Sequence, residues 1–190
     1  MFVRLISRAV LVGGAAVVLA GCMPKMTIEE MKSMLPERPV ELDKLNAFAG
    51  KWVFEGEAEM AGLDEPLKSS GHNEAHWDGD NWFLVSRGTF KMGDLGEMEG
   101  VETWTYDTHD KVYRSTWVDT FGSVGTGTSK YDDKTDTWKF RATSHGPFGK
   151  SKMKGKVQFV NADTMEWSMS EYSMCGLMKT MEMNGTSRRE

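Results

Sequence analysis

The strongest constraint on this fold is a two-residue alternation of apolar and polar side chains that begins at Trp52. In WVFEGEAEM (52–60), apolar or small residues alternate with mostly charged ones, and TWKFRATS (137–144) and KMKGKVQF (152–159) repeat the pattern. Successive side chains of a β-strand point to opposite faces, so this period indicates strands with one buried face. A helix, with its period of 3.6, would spread the same apolar residues around its whole circumference.

Turn signals separate about ten such stretches, spaced roughly 8–12 residues apart. They include Asp78-Gly79-Asp80-Asn81, His145-Gly146-Pro147 and Asn161-Ala162-Asp163. No helical pattern lies between the stretches, which argues against a βαβ fold. We therefore predict an all-β fold, an antiparallel up-and-down barrel of about ten strands, because closure removes the exposed strand edges.

The region before the first strand reads differently. The apolar spacing in 41–48 predicts a short helix that ends before Gly50. Residues 22–40 contain three prolines and predict a tether, in which Thr27 and Glu30 are placed to cap a short helix. The predicted division of the chain is a leader (1–21), a tether (22–40) and a barrel domain (41–190).

The leader has the features of a signal peptide. Arg4 and Arg8 precede twelve apolar or glycine residues, 9–20, a run too short to span a bilayer, which needs roughly 20. The run ends in Leu19-Ala20-Gly21-Cys22, which resembles the lipobox of bacterial lipoproteins. That resemblance implies cleavage before Cys22 and fatty acylation of Cys22, with the membrane as partner. Met23, rather than aspartate, implies the outer membrane, facing the periplasm.

Charge and cysteine content exclude some alternatives. The net charge of −5 counts against nucleic acid as a partner, because a phosphate backbone requires a basic surface. Cys175 is the one cysteine besides Cys22. An acylated protein would therefore have no internal disulfide, and the fold must rest on its apolar core.

Residues 72–77, HNEAHW, raise the question of a metal site. On a strand, His72, Glu74 and His76 share one face, and same-face neighbours lie roughly 6.6–6.8 Å apart. The two histidines are then too far apart for one zinc ion, whose Zn–N bonds are ~2.0–2.1 Å. We interpret this face as the solvent face of a strand and predict no metal site, with a metal site on a local bulge as the alternative.

Methionines crowd the last two predicted strands around Cys175. Thioethers and thiolates suit Cu(I), so a Cu(I)-binding protein that uses Met174, Cys175 and Met178 is one alternative. Methionine also fills cores and lines adaptable pockets. The alternation of Met165, Trp167 and Met169 with polar residues favours packing or pocket lining. The methionines concerned are Met165, Met169, Met174, Met178, Met181 and Met183.

No catalytic motif or cofactor-binding motif is recognisable, and we predict neither catalytic residues nor a cofactor. Glu102 lies between Gly100 and Trp104 on a predicted inward face, where burial would raise its pKa and where it would bind the polar group of a ligand. A β-bulge would instead turn Glu102 to solvent. An enzyme would require Glu102, His145 and Asp119 to converge on one pocket.

Gly50-Lys51-Trp52, after a short helix, resembles the G-x-W motif of lipocalins and related fatty-acid-binding barrels. That resemblance implies that a last-strand arginine, Arg188 or Arg189, stacks on Trp52 and closes the barrel. More closely, the chain resembles the bacterial family called domain of unknown function 1579, which implies a lipocalin-like barrel without an established activity. The resembling pieces are AGKWVFEGEAEM, NWFLVSRG, Tyr106-Asp107, Trp117-Val118-Asp119, Tyr131-Asp132 and Met181-Glu182-Met183.

These patterns predict a lipid-anchored barrel that binds a small apolar or amphipathic ligand inside, since ligand sites are mostly apolar with a few polar groups. The alternative to this ligand-binding barrel, besides the Cu(I) protein, is a structural or envelope-interaction lipoprotein whose barrel is filled by side chains. The predicted lining consists of Trp52, Phe54, Glu102, Trp104, Tyr106, Trp117, Trp138, Phe140, Met165 and Trp167.

Overall fold

The computed structural model describes residues 26–173 and 176–190. They contain a closed barrel of ten antiparallel strands, each paired with its neighbours in the chain, and the first strand also pairs with the last. The predicted all-β up-and-down barrel is confirmed. The predictions for the leader, Cys22, Met174 and Cys175 lie outside the described residues. The strands are β1 (Gly50–Met60), β2 (Leu67–Asp78), β3 (Phe83–Met92), β4 (Glu97–Asp107), β5 (Val112–Asp119), β6 (Val124–Asp132), β7 (Thr137–Gly146), β8 (Gly149–Asn161), β9 (Thr164–Ser173) and β10 (Met178–Arg189).

The helix expected at 41–48 is a 3₁₀ helix, Val40–Phe48, whose Leu42 and Leu45 are fully buried. A second short helix, α1 (Ile28–Ser33), begins with a capping box between Thr27 and Glu30. A further 3₁₀ turn, Gly93–Leu95, joins β3 to β4. Within the described part of the chain, none of the helices is long and apolar enough to cross a membrane.

The up-and-down order sorts the connections onto two ends of the barrel. The 3₁₀ helix Val40–Phe48 and the turns β2–β3, β4–β5, β6–β7 and β8–β9 lie at one end, which we call the floor. The other five connections lie at the opposite end, which we call the mouth. The main buried cluster lies at the floor and consists of Leu42, Leu45, Trp52, Ala75, Leu84, Tyr113, Trp138, Phe159 and Met165. Ala58 and Met183 are buried outside this cluster, nearer the mouth.

Arg189 closes the floor from the last strand. Its guanidinium lies 4.4 Å from the ring centroid of Trp52, and it donates hydrogen bonds to the backbone carbonyls of Ala47 and Ala49. Trp52 in turn donates from Nε1 to the Phe48 carbonyl at 3.0 Å. Of the two arginines that the G-x-W resemblance proposed, Arg189 makes this contact, whereas Arg188 is exposed on the outer face.

Residues 38–190 form one compact unit. They contain all ten strands and every residue of the buried core in the described chain. Since sheet closure and apolar burial are the main stabilising features of such a domain, this segment holds all that it needs to fold on its own.

Candidate functional site

The inward face of the barrel has two layers that differ in packing. Of the predicted lining residues, Trp52, Trp138 and Met165 belong to the buried floor, and Trp104 and Tyr106 pack against it. The other five stand above the floor and face the lumen, where they are only partly buried. These five lumen residues are Phe54, Glu102, Trp117, Phe140 and Trp167. The structure thus divides the predicted lining between a packed floor and an upper lumen whose side chains are partly exposed.

Each of the four aromatics among these five residues has a glycine directly opposite on the neighbouring strand. The register pairs Phe54 with Gly71, Trp117 with Gly125, Phe140 with Gly155 and Trp167 with Gly185. A Cβ placed on any of these glycines would lie 2.0 to 2.5 Å from the facing ring or from the adjacent backbone. Each ring therefore covers the space that a side chain would occupy at the facing glycine, next to the barrel wall.

The position of these rings beside the wall leaves the centre of the barrel free of their side chains. A ring that lies along the wall covers apolar surface without crossing the centre of the barrel, as when an aromatic side chain covers a strand glycine. Phe54 also stacks on Phe90, with ring centroids 5.5 Å apart, and meets Trp167 edge-on at 6.2 Å. The sequence prediction included four of the lumen aromatics but missed Phe90 and the glycine partners. The signal for the partners was glycine at inward positions of otherwise alternating strands.

Glu102 is the residue of this layer whose pKa is shifted most. It pairs across the sheet with Ser86 and Trp117, which both face inward, so Glu102 faces inward as expected. Burial raises the pKa of the Glu102 carboxyl to about 7, although hydrogen bonds from the Ser115 hydroxyl and the Trp104 indole act to lower it. Near neutral pH this carboxyl is therefore able to accept or to donate a hydrogen bond.

Two further polar features face the interior. The Asn73 amide donates to the hydroxyl of Ser86 at 3.0 Å, and Ser86 is the residue directly opposite Glu102 on β3. The Ser69 hydroxyl, nearer the mouth, is buried and has no hydrogen-bond partner among the described protein groups. A mostly aromatic lumen with a few polar groups is the usual composition of a small-molecule site.

Methionines line the lumen towards the mouth. Met183 is buried opposite Met169 and Ala58, and Met181 pairs with Met60. These thioethers provide an apolar surface that adapts to differently shaped occupants. Met178 is exposed, so it does not join them. Because Met174 and Cys175 lie outside the described residues, the predicted Cu(I) ligand set stays a prediction.

The other candidate residues do not form a site. His72 and His76 are exposed on the outer face of β2, as expected for a solvent face, and His72 contacts the Thr89 hydroxyl. Among the described residues, no group of three histidine, cysteine or acidic side chains is arranged to hold a metal ion. His145 is exposed outside the barrel, while Asp119 accepts hydrogen bonds from backbone N–H groups of its own turn. Glu102, His145 and Asp119 therefore do not converge.

The comparisons with known proteins agree with this barrel. The profile of the family described as "Protein of unknown function (DUF1579)" matches residues 40–189. No match to a curated protein was found.

Among solved structures, the chain is similar to Rv2717c from M. tuberculosis, with 10% identity over 81% of this chain and 99% of that one and a TM-score of 0.59. This likeness shows the fold alone. Two designed barrels are less similar. EF1p2_mFAP2b bound to DFHBI has 12% identity over 78% of this chain and 98% of that one, with a TM-score of 0.45. A de novo designed fluorescence-activating β-barrel has 15% identity over the same shares, with a TM-score of 0.44.

Proposed function

We propose that this chain, which belongs to the DUF1579 family of proteins of unknown function, binds a small apolar or amphipathic ligand in the barrel lumen while anchored to a membrane by Cys22. The observation that carries the proposal is the set of four aromatic rings that each cover a glycine on the neighbouring strand. Side chains that merely filled a barrel would cross its centre, as those of the floor do.

The chemistry of the lumen defines the class of ligand. Phe54, Trp117, Phe140 and Trp167 offer flat apolar surfaces, and the methionines above them adapt to the rest of the molecule. Glu102 supports one polar contact deep in this apolar setting, to a hydroxyl, amide or amine group. The ligand that fits is an amphipathic molecule with an apolar body and one hydrogen-bonding head.

The anchoring part of the proposal is supported by the sequence of residues 1–22. A positive start, a short apolar run and Leu19-Ala20-Gly21-Cys22 favour an acylated cysteine, and Met23 favours the outer membrane, facing the periplasm. The contact between Trp52 and Arg189 supports a lipocalin-like classification of the barrel. A lumen that holds an apolar molecule beside a membrane suits the storage or exchange of a membrane component.

Ligand binding is tested by native mass spectrometry of residues 38–190 after incubation with a lipid extract of the host envelope. We expect a retained small molecule whose mass identifies its class. A Trp167→Ala variant, which removes one wall ring, retains less of it, while Val160→Ala on the outer face retains as much as the wild type. A bare mass for the wild type after this incubation contradicts the proposal.

Anchoring is tested separately in the host with the full chain. Metabolic labelling with palmitate and membrane fractionation are expected to show a labelled protein in the outer-membrane fraction. Cys22→Ser is expected to abolish the label, and Cys175→Ser is expected to keep it. Equal labelling of wild type and Cys22→Ser would contradict the anchor without bearing on the lumen.

A further inference from the structure

Every hairpin tip at the mouth exposes a large apolar side chain. These side chains are Leu63, Leu95, Phe121, Phe148 and Leu177, and Phe148 is fully exposed. The four floor turns differ, because Trp82 is their one large apolar residue and it packs against the core. Exposed apolar tips are therefore a property of the mouth and not of turns in general.

The tips also differ in charge around the mouth. The β1–β2 and β3–β4 connections carry acidic residues beside their apolar one: Asp64 and Glu65 in the first, Asp94 in the second. The segments 120–123 and 147–148, which carry Phe121 and Phe148, contain no charged residue. One side of the mouth is thus apolar and uncharged.

The outer wall below the uncharged tips is basic. Strands β7 and β8 contain six lysine or arginine residues and no aspartate or glutamate. We call these six the basic wall: Lys139, Arg141, Lys150, Lys152, Lys154 and Lys156. By contrast, the outer face of β1 presents Glu55, Glu57 and Glu59. The charge of this acidic protein is therefore strongly uneven between the two sides of the barrel.

The cations of the basic wall have no acidic partner in the described part of the chain. None of them takes part in an ion pair among the described residues. The register even places Lys139 directly between Lys130 and Lys156, and Arg141 opposite Lys154. Like charges directly opposite each other destabilise a sheet. This wall is therefore more stable when an external anion covers it.

A groove of about 720 Å³ crosses β5 to β9 beside the basic wall, and Arg141, Lys152 and Lys154 line it. Its other lining residues include four threonines, Thr116, Thr126, Thr128 and Thr143. Lys154 also lies 4.7 Å from the ring centroid of Tyr172. Cations and hydroxyl donors in one concave surface are suited to phosphate oxygens.

We propose that the Phe121 and Phe148 tips together with the basic wall dock onto a lipid bilayer that contains anionic headgroups. Lys150 and Lys152 follow Phe148 along β8 by rises of roughly 7 and 13 Å, so at least the first lies within about a Debye length of a surface that Phe148 enters. A bilayer supplies an apolar interior for the rings and anionic groups for the lysines. A soluble polyanion would leave the rings in water, and an acidic protein would cover them only where it also carried an apolar patch of matching position.

Docking onto a bilayer in this way does not require a ligand in the lumen. It is tested with residues 38–190, which lack Cys22, by flotation with vesicles of phosphatidylcholine alone and with phosphatidylglycerol added. We expect binding to the mixed vesicles that weakens as salt is raised. Phe121→Ser with Phe148→Ser is expected to weaken it by on the order of tenfold per ring. Val160→Ser changes an apolar residue near the floor whose exposure, 57%, lies between those of Phe121 and Phe148, and it is expected to bind as the wild type does.

The basic wall is tested with Lys150→Gln, Lys152→Gln and Lys154→Gln combined. We expect weaker binding to mixed vesicles, by roughly fivefold for each lysine that reaches the surface. The control variant combines Lys51→Gln, Lys68→Gln and Lys91→Gln on the opposite side of the barrel, so its net charge equals that of the wall variant. It is expected to bind mixed vesicles at least threefold more tightly than the wall variant does. Circular dichroism verifies that each variant remains folded.

Three outcomes would overturn the proposal. The first is no binding of the wild type to mixed vesicles. The second is equal binding by the tip variant and the wild type, or an equal loss in Val160→Ser. The third is a dimer of the wild type in solution, measured by sedimentation, together with a wall variant that is monomeric but binds vesicles as the wild type does. The basic wall would then contact the acidic side of a second copy rather than a bilayer.

Discussion

The indole ring of Trp117 lies against the bare Cα of Gly125, its direct partner across the β5–β6 pair. A Cβ on Gly125 would stand 2.0 Å from Cζ2 of that ring. Three other aromatic–glycine pairs repeat this relationship in the lumen. The free width of the barrel therefore depends on the glycines as much as on the aromatic side chains that they accommodate.

Gly125→Ala is expected to push the Trp117 ring off the wall and to lower the free energy of unfolding by about 1–3 kcal/mol, the usual cost of overpacking. Urea denaturation at equilibrium measures the change. Gly100→Ala is the matched control, because Gly100 also faces inward but a Cβ there would meet nothing closer than 3.5 Å. Equal destabilisation by the two substitutions would show that the ring does not depend on Gly125.

Glu102→Gln tests the raised pKa of the lumen carboxyl. Because the native state holds this proton up to about pH 7, well above the ordinary value of 4.5, the unfolded state binds fewer protons between these values. The contribution of Glu102 to the free energy of unfolding is therefore complete below about pH 4.5 and is lost as the pH rises through 7. We expect the unfolding free energy of the wild type, relative to Glu102→Gln, to fall by roughly 2–3 kcal/mol between pH 4.5 and pH 8.

Denaturation of both proteins across this pH range measures that difference. Every other titrating group is common to the two proteins and cancels in it, provided that its surroundings are unchanged. Parallel stability profiles would mean that the carboxyl is hydrated in the folded state and titrates as an ordinary glutamate.

Arg189→Ala is expected to cost about 1–3 kcal/mol of stability, since it removes the cation–π contact with Trp52 and leaves the Ala47 and Ala49 carbonyls without their charged donor. Arg188→Ala, one position earlier and exposed on the outer face, is expected to stay within about 0.5 kcal/mol of the wild type. Thermal and urea unfolding of both variants measure the contrast. If the neighbouring substitution proved as costly, closure of the floor by Arg189 would be refuted.

Two tryptophans separate the floor from the lumen. Trp138 is 2% exposed in the core, so Trp138→Ala is expected to destabilise the barrel by about 3–5 kcal/mol. Trp167 is partly open to the lumen and its loss is expected to cost clearly less, while reducing the retention of a lumen ligand. Unfolding by urea and native mass spectrometry give the two measurements. If Trp167→Ala destabilised the barrel more than Trp138→Ala, the assignment of the packed layer to the floor would be wrong.

The sequence was sufficient for the barrel because alternation along each strand is a local property. Trp52, Phe54 and Ala58 face inward by parity alone, and the turn residues between strands fixed their approximate number. The same parity gave the outward direction of His72 and His76, which argued against a zinc site.

The sequence alone could not separate the lining residues of the floor from those of the lumen, because this separation depends on the stagger between neighbouring strands. Trp138 and Phe140 are two residues apart on one face of β7, yet the first is core and the second faces the lumen. The pairing of Phe140 with Gly155 likewise follows from register, which no single strand reveals. The 3₁₀ geometry of Val40–Phe48 was also missed, because its apolar spacing fits an α-helix equally well.

The pairing of β1 with β10 has a kinetic consequence. It joins the first strand of the domain to the last, so the barrel closes only after the whole sheet has been made, and contacts of such sequence separation slow folding. Until then both edges are open to pairing with other chains. The glutamates at 55, 57 and 59 put repelling charge along one edge during that interval, which favours closure on β10 over assembly with a second unfinished sheet.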